Sequence, residues 1–179
     1  MNNLQILITE LRNRLEVNKN SYLKMSQAST GNSNNDALTD LNASLSFLDN
    51  FDVENIPKKI KPKGKIFVIL SFNEPLLLSI VPIVSALVVG NEVYVKPSSK
   101  NYDLFTDIWS DLIETLTLPM HIIRIPIEQI EDCVQKVNAV YFFGSYKNAK
   151  SVYLLCAKHF VEFFPEVETA DCKIYIRHV

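Results

Sequence analysis

The stretch that decides the fold is "FVILSFNEPLLLSIVPIVSALVVGNEVYVKPSS", Phe67 to Ser99. With Lys65 and Ile66 it opens on "KIFVILSF", a short continuous run of β-branched and aromatic residues, the pattern of a strand buried on both faces. Asn73-Glu74-Pro75 break the run. A proline is well placed at the start of a helix, and the apolar residues from about Pro75 to Val89 form one, stopped by Gly90-Asn91. "EVYVK" is then a second strand, ending on Lys96 before Pro97. Strand, helix and strand in this order make a right-handed crossover between parallel neighbours.

Downstream the alternation continues. Residues from about Tyr102 to Leu116 read as a helix, "MHIIRIP" as a strand, "IEQIEDCVQKV" as a helix, "AVYFFG" as a strand, "NAKSVYLLCAKHF" as a helix and "CKIYIRHV" as the last strand. This predicts an α/β fold with a doubly wound, mostly parallel sheet. Such sheets bind ligands beyond the carboxyl ends of their strands. Ser71, Phe72, Asn73 and Glu74, then Lys96, Ser98 and Ser99, then Gly144 and Ser145 all fall there. Upstream, Leu4, Leu7, Leu11 and Leu15 recur at helical spacing, predicting a helix from about Asn3 to Met25. Ser26 to Asp36 has no bulky apolar residue and reads as a loop; Leu38, Leu41, Leu45 and Leu48 mark a second helix. Two helices in residues 1–60 are thus expected before an α/β domain over 61–179, with "KKIKPKGK" (Lys58 to Lys65) as a solvated connector.

Composition narrows the function. The chain has 179 residues, 47% of them apolar and 21% charged, enough for one buried core, and its formal net charge is −2. No field that weak gathers nucleic acid or an anionic membrane, so a small molecule or a protein partner is expected. Three cysteines at unrelated spacings make neither a disulfide framework nor a zinc motif and point to a reducing compartment. The amino terminus lacks a basic n-region and a cleavage site, so a cytoplasmic protein is expected. Leu76 to Val89 is too short for a membrane span and carries Pro82. With four glycines, neither G-x-G-x-x-G nor a P-loop can be written, and no G-x-S-x-G elbow exists. Cys156 and His159 lie at metal-ligand spacing on one helix, but no second pair completes a site, and no metal is expected.

One composite signal is left: "SFNEP", "GNEVYVKPSS", "YFFGS" and "FVEFFPEVETADCKIYI", in this order with helices between. These segments resemble the cofactor domain of the aldehyde dehydrogenase superfamily, whose pattern runs W-N-Y-P, G-N-x-V-x-L-K-P-S-E, F/Y-T-G-S and E-L-G-G-K-S-P. The resemblance covers roughly Lys65 to Ile176 and is nearest the class 3, fatty-aldehyde branch. It implies a cysteine thiolate that attacks the aldehyde, hydride transfer to NAD or NADP, and hydrolysis of the thioester. Asn73 matches the asparagine that donates to the oxyanion; otherwise it is a turn former before Glu-Pro. Lys96 matches the lysine that reaches the adenosine ribose, or is a surface lysine at a strand end. Ser145, after Gly144, matches the serine at the pyrophosphate, or is a simple N-cap. Glu166 falls where the family's glutamate activates the hydrolytic water, or is a solvated loop acid.

There are departures. The ribose-binding glutamate is replaced by Ser99, the Gly-Gly after the catalytic glutamate by Glu168-Thr169, and the Trp and Tyr of W-N-Y-P by Phe72 and Glu74. In the family the nucleophile lies a few tens of residues beyond the glutamate, and this sequence stops at Val179. Cys172 falls at the end of K-S-P-C, and Cys133 and Cys156 fall on helix faces, so none is expected to be the nucleophile. The expectation is a truncated, aldehyde-dehydrogenase-like protein without aldehyde oxidation of its own, retaining weak nucleotide binding or an interaction role. The alternative is the cofactor-binding half of a split enzyme. In either case Phe160, Phe163, Phe164 and Pro165 are expected to form an apolar patch that recruits a protein partner or a second copy.

Overall fold

The computed structural model of the chain describes residues 3–53, 56 and 59–168. At its centre is a five-stranded sheet, all parallel, in the order β3-β2-β1-β4-β5. The strands are β1 (Lys65–Ile69), β2 (Glu92–Lys96), β3 (Met120–Ile122), β4 (Ala139–Ser145) and β5 (Glu162–Glu168). From β1 the chain steps through β2 to β3, then crosses to the other side of β1 for β4 and β5. The winding reverses between β1 and β4, and connections leaving in opposite directions open a crevice at their carboxyl ends. The sheet is doubly wound, as the alternation of apolar runs predicts.

Burial on two faces explains those runs. Val68 and Leu70 pack against α4 (Pro75–Val88) and α5 (Tyr102–Thr115), while Phe67 and Ile69 pack against α6 (Glu131–Val134) and α7 (Tyr146–His159). β4 divides in the same way, Tyr141 and Phe143 to the first face, Val140 and Phe142 to the second. Side chains alternate across a strand, so apolar residues at consecutive positions are what a sheet covered on both faces requires.

A third layer covers α4 and α5. It consists of α1 (Asn3–Val17), α2 (Lys19–Thr30) and α3 (Asn34–Asn50), whose Leu7, Leu11, Leu15, Tyr22 and Leu41 share one core with Ile80 and Trp109. Three helices thus stand where the leucine spacing predicts two. At Asn18 the helix breaks: its backbone N and its Nδ2 both donate to Arg14 O, at 3.0 and 3.1 Å, and φ/ψ leave the helical well. The expected loop over 26–36 is helix as far as Thr30. The hydroxyls of Ser29 and Thr30 donate to Ser26 O at 3.0 and 2.8 Å, so these polar residues meet their own hydrogen-bonding needs within the helix. Gly31, at φ 77°, ends α2, and a capping box between Ser33 and Asp36 starts α3.

Two further segments differ from expectation. "IEQIEDCVQKV" forms a 3-10 turn (Ile127–Gln129) and the single-turn α6 rather than a full helix. The fifth strand is "EFFPEVE", for which the sequence predicts no strand, whereas "CKIYIRHV", predicted as the last strand, lies outside the described residues. Among the described residues β5 pairs with β4 alone, and an edge position tolerates Pro165, which has no N–H to donate. Among the described residues no helix is long and apolar enough to cross a membrane.

Candidate cofactor site

A cavity of about 630 Å³ fills the crevice at the carboxyl ends of the strands. Ile69 to Phe72 enter it from the end of β1, Lys96 to Ser99 from β2, Arg124 to Ile127 from beyond β3, and Phe142 to Ser145 from β4. All seven residues assigned from sequence to cofactor contact, Ser71, Phe72, Lys96, Ser98, Ser99, Gly144 and Ser145, line it together. Tyr102, Arg124 and Asn148 also line it and carried no sequence signal of their own.

Each wall is held by the fold. Leu70 N donates to Lys96 O at 3.0 Å, tying the ends of β1 and β2. Asn101, buried before α5, donates through Nδ2 to Phe72 O at 2.9 Å, and the Phe72 ring lies 4.0 Å from Lys100 Nζ. Behind this loop the buried Asp40 of α3 accepts from Leu76 N and Leu77 N, both at 2.9 Å, capping α4 from another element. Sequence reasoning missed both Asn101 and Asp40, since each acts on a residue distant in the chain. On the far wall Ser145 caps α7 by accepting from Asn148 N, so the helix amino terminus opens onto the cavity. At Gly144 a Cβ would come within 2.9 Å of Phe142 Cζ, so the turn from β4 into α7 requires glycine there.

The donor set suits an anionic, hydroxyl-rich ligand. Lys96 and Arg124 supply positive charge, Ser71, Ser98, Ser99 and Ser145 hydroxyls, Asn148 an amide and α7 its first backbone N–H groups. Among the described residues no Asp or Glu lines the cavity. Burial lowers the pKa of Lys96, with the charge of Glu128 opposing it, so an anion beside the amine restores what desolvation removes. The volume lies in the range of ligand pockets, roughly 300–1,000 Å³. The residues present fit a dinucleotide.

The two residues assigned to chemistry lie elsewhere. Phe72 lines the cavity, but Glu74, with φ 45°, lines a second, apolar groove of about 550 Å³, so Asn73 stands where the chain passes between the two. Glu166 is in β5, not in a loop; it lines the same groove, and Tyr141 Oη donates to its Oε1 at 3.3 Å. The groove's apolar lining on the α4 face of the sheet includes Val68, Leu77, Val81, Pro82, Phe143 and Phe164, with Lys61, Lys63 and Asn91 among its polar residues. The four-residue patch expected near Phe160 is not one surface: Phe160 is 98% exposed and Phe164 lines the groove, but Phe163 packs on the opposite face beside Phe142. Consecutive strand residues cannot share a face. Cys156 is buried in α7, its pKa pushed up to about 11 by desolvation, and burial raises that of Cys133. Neither lines either cavity. His159 meets Glu131 across α6 and α7 at 2.9 Å, and among the described residues no group of three or more His, Cys, Asp or Glu could hold a metal.

A doubly wound parallel sheet with a cation- and hydroxyl-lined cavity at its switch point is the architecture of the nucleotide-binding class of α/β folds. The chain belongs to the aldehyde dehydrogenase family, whose profile matches residues 5–174. Among curated proteins it is similar to a 4,4'-diapolycopene aldehyde oxidase of Methylomonas sp, 28% identical over 120 residues, which is 65% of this chain and 22% of that one. Among solved structures it is similar to a glyceraldehyde-3-phosphate dehydrogenase of Methanocaldococcus jannaschii complexed with NADP, with TM-score 0.78, 20% identity and coverage of 93% of this chain and 41% of that one. A succinic semialdehyde dehydrogenase of Streptococcus pyogenes, in complex with NADP+, gives TM-score 0.75 at 13% identity, covering 93% of this chain and 42% of that one. The chain therefore spans less than half the length of these relatives, and what it shares with the structures is the fold of their NAD(P)-binding part.

Proposed function

We propose that this chain is the dinucleotide-holding part of an NAD(P)-dependent aldehyde dehydrogenase and does not oxidise aldehydes by itself. The observation that carries the reading is the convergence of the three strand ends on one cavity that also receives the amino terminus of α7. Bound there, NAD(P) supplies the hydride acceptor. Lys96 with Ser98 and Ser99 holds the adenosine ribose, and Ser145 with the first N–H groups of α7 holds the pyrophosphate. Asn73 takes the role of amide donor to a developing oxyanion, an interaction worth about 3–4 kcal/mol where preorganised. Glu166, across the groove, is the base for a hydrolytic water.

Among the described residues no cysteine stands ready as a thiolate. Cys133 and Cys156 have raised pKa values and stand outside both cavities, so neither supplies an activated nucleophile at neutral pH. The apolar groove bearing Glu74 and Glu166 is the face on which the catalytic part of such an enzyme, covalently joined or not, would complete the reaction centre. The test is a fluorescence titration of the purified chain with NADH and NADPH, together with an assay for aldehyde-dependent reduction of NAD+ and NADP+. Binding of at least one reduced cofactor, weakened roughly tenfold by Lys96→Ala, without turnover is the expected result, tenfold being about 1.4 kcal/mol. Aldehyde oxidation that persists after all three cysteines are replaced by serine would reject the reading.

A further inference from the structure

We propose that the cavity prefers the 2′-phosphorylated dinucleotide, NADP(H), over NAD(H), and that Arg124 is the residue that selects it; the inference rests on the cofactor reading above. In doubly wound dinucleotide sites the adenosine ribose lies beyond β2. An acid there accepts hydrogen bonds from a free 2′-hydroxyl, whereas an arginine nearby meets a 2′-phosphate. Here β2 runs out into Lys96-Pro97-Ser98-Ser99, which offers a cation and two hydroxyls but no acid.

The second cation comes from the neighbouring strand. Arg124, just past the end of β3, reaches the same cavity, and its guanidinium carbon lies 4.4 Å from the ring centroid of Tyr102, the first residue of α5. Held over the ring face by cation–π attraction, the guanidinium has no side-chain acceptor among the described residues, and its N–H groups can bind phosphate oxygens in pairs. Among the described residues no carboxylate pairs with Arg124. Glu128 acts on Lys96 through its charge but does not line the cavity. A ribose with a free 2′-hydroxyl finds two cations and no acceptor carboxylate here. A 2′-phosphate, carrying about −1.5 to −2 charge, neutralises both cations and accepts from Ser98 and Ser99.

Isothermal titration calorimetry of the 179-residue chain with NADP+ and with NAD+ tests this. The expected result is NADP+ binding at least about tenfold tighter, a difference of about 1.4 kcal/mol. Arg124→Ala, at an exposed position, removes that advantage by weakening NADP+ binding about tenfold more than NAD+ binding. Ser99→Glu, which places an acid beyond β2, reverses the preference, and unchanged circular dichroism confirms that both variants are folded. NAD+ binding as tightly as NADP+, or Arg124→Ala weakening both alike, overturns the preference and leaves the cofactor site standing. Binding of neither dinucleotide overturns the cofactor site, and the preference with it.

Discussion

Asp40 belongs to α3 but caps α4, and it does so from a position only 5% exposed. Two backbone donors partly compensate the buried charge. Loss of water outweighs them, and with Glu74 also acting against ionisation the carboxyl rises from its usual 3.8 to about 6. A raised carboxyl pKa sets the sign of the pH effect. Below about pH 4 the group is protonated whether the chain is folded or not. Between about 4 and 6 only the unfolded chain ionises freely, so stability falls as pH rises, by roughly 3 kcal/mol in all, and above that the difference is constant. Urea unfolding of the wild type and Asp40→Asn at steps from pH 4 to 7 is expected to show that fall in the wild type only; parallel curves would contradict it. Asp40→Ala leaves the buried N–H of Leu76 and the part-buried N–H of Leu77 without this acceptor and is expected to cost about 2 kcal/mol at pH 7. In the sequence Asp40 is an ordinary polar position on an amphipathic helix.

The elements themselves show where periodicity is a reliable guide and where it is not. β2 runs over Glu92–Lys96, as "EVYVK" reads, and α5 over Tyr102–Thr115, because each has its period or composition written in consecutive residues. α2 carries neither: its last turn is Ser26 to Thr30, held by hydroxyls that bond back to the helix. The link to α3 is only three residues long, Gly31 to Ser33, and the Ser33–Asp36 capping box sets where α3 begins. Ser33→Ala is expected to lower stability by about 1 kcal/mol, seen as a reduced urea midpoint at unchanged slope. A change under a few tenths would mean that packing of α3, not its cap, fixes that end. β5 was obscured for a different reason. Three glutamates and Pro165 interrupt its apolar residues, and only a place at the sheet edge makes such a strand stable.

For the whole molecule, the question is what covers the groove beside α4. Val68, Val81, Tyr141 and Phe143 line it, and Phe160 stands exposed at the end of α7. Soluble monomers rarely present contiguous apolar surface beyond a few hundred Å². The purified chain is therefore expected to bind a hydrophobic dye and to self-associate at high concentration, and Val81→Lys to diminish both. Sedimentation as a clean monomer without dye binding would show that this groove recruits nothing. The strand-end cavity is a separate matter. It lies at the crevice between β1 and β4, so Val81→Lys is expected to leave NADP+ affinity unchanged.

By itself the sequence determined the alternation of strands and helices, the two-faced burial of the sheet and the strand-end position of Ser71, Lys96, Ser99 and Gly144-Ser145. These properties are local, carried by apolar runs, a Pro at a helix start and Gly after a strand. Only the tertiary structure decided that Arg124 and Tyr102 belong with them, that Asn101 and Asp40 hold the loop before α4, and that Glu166 sits in a strand facing a different groove. Each of those facts depends on which elements lie beside one another. A sheet order that reverses between β1 and β4 brings together residues far apart in the chain, and no period within a single segment encodes that pairing.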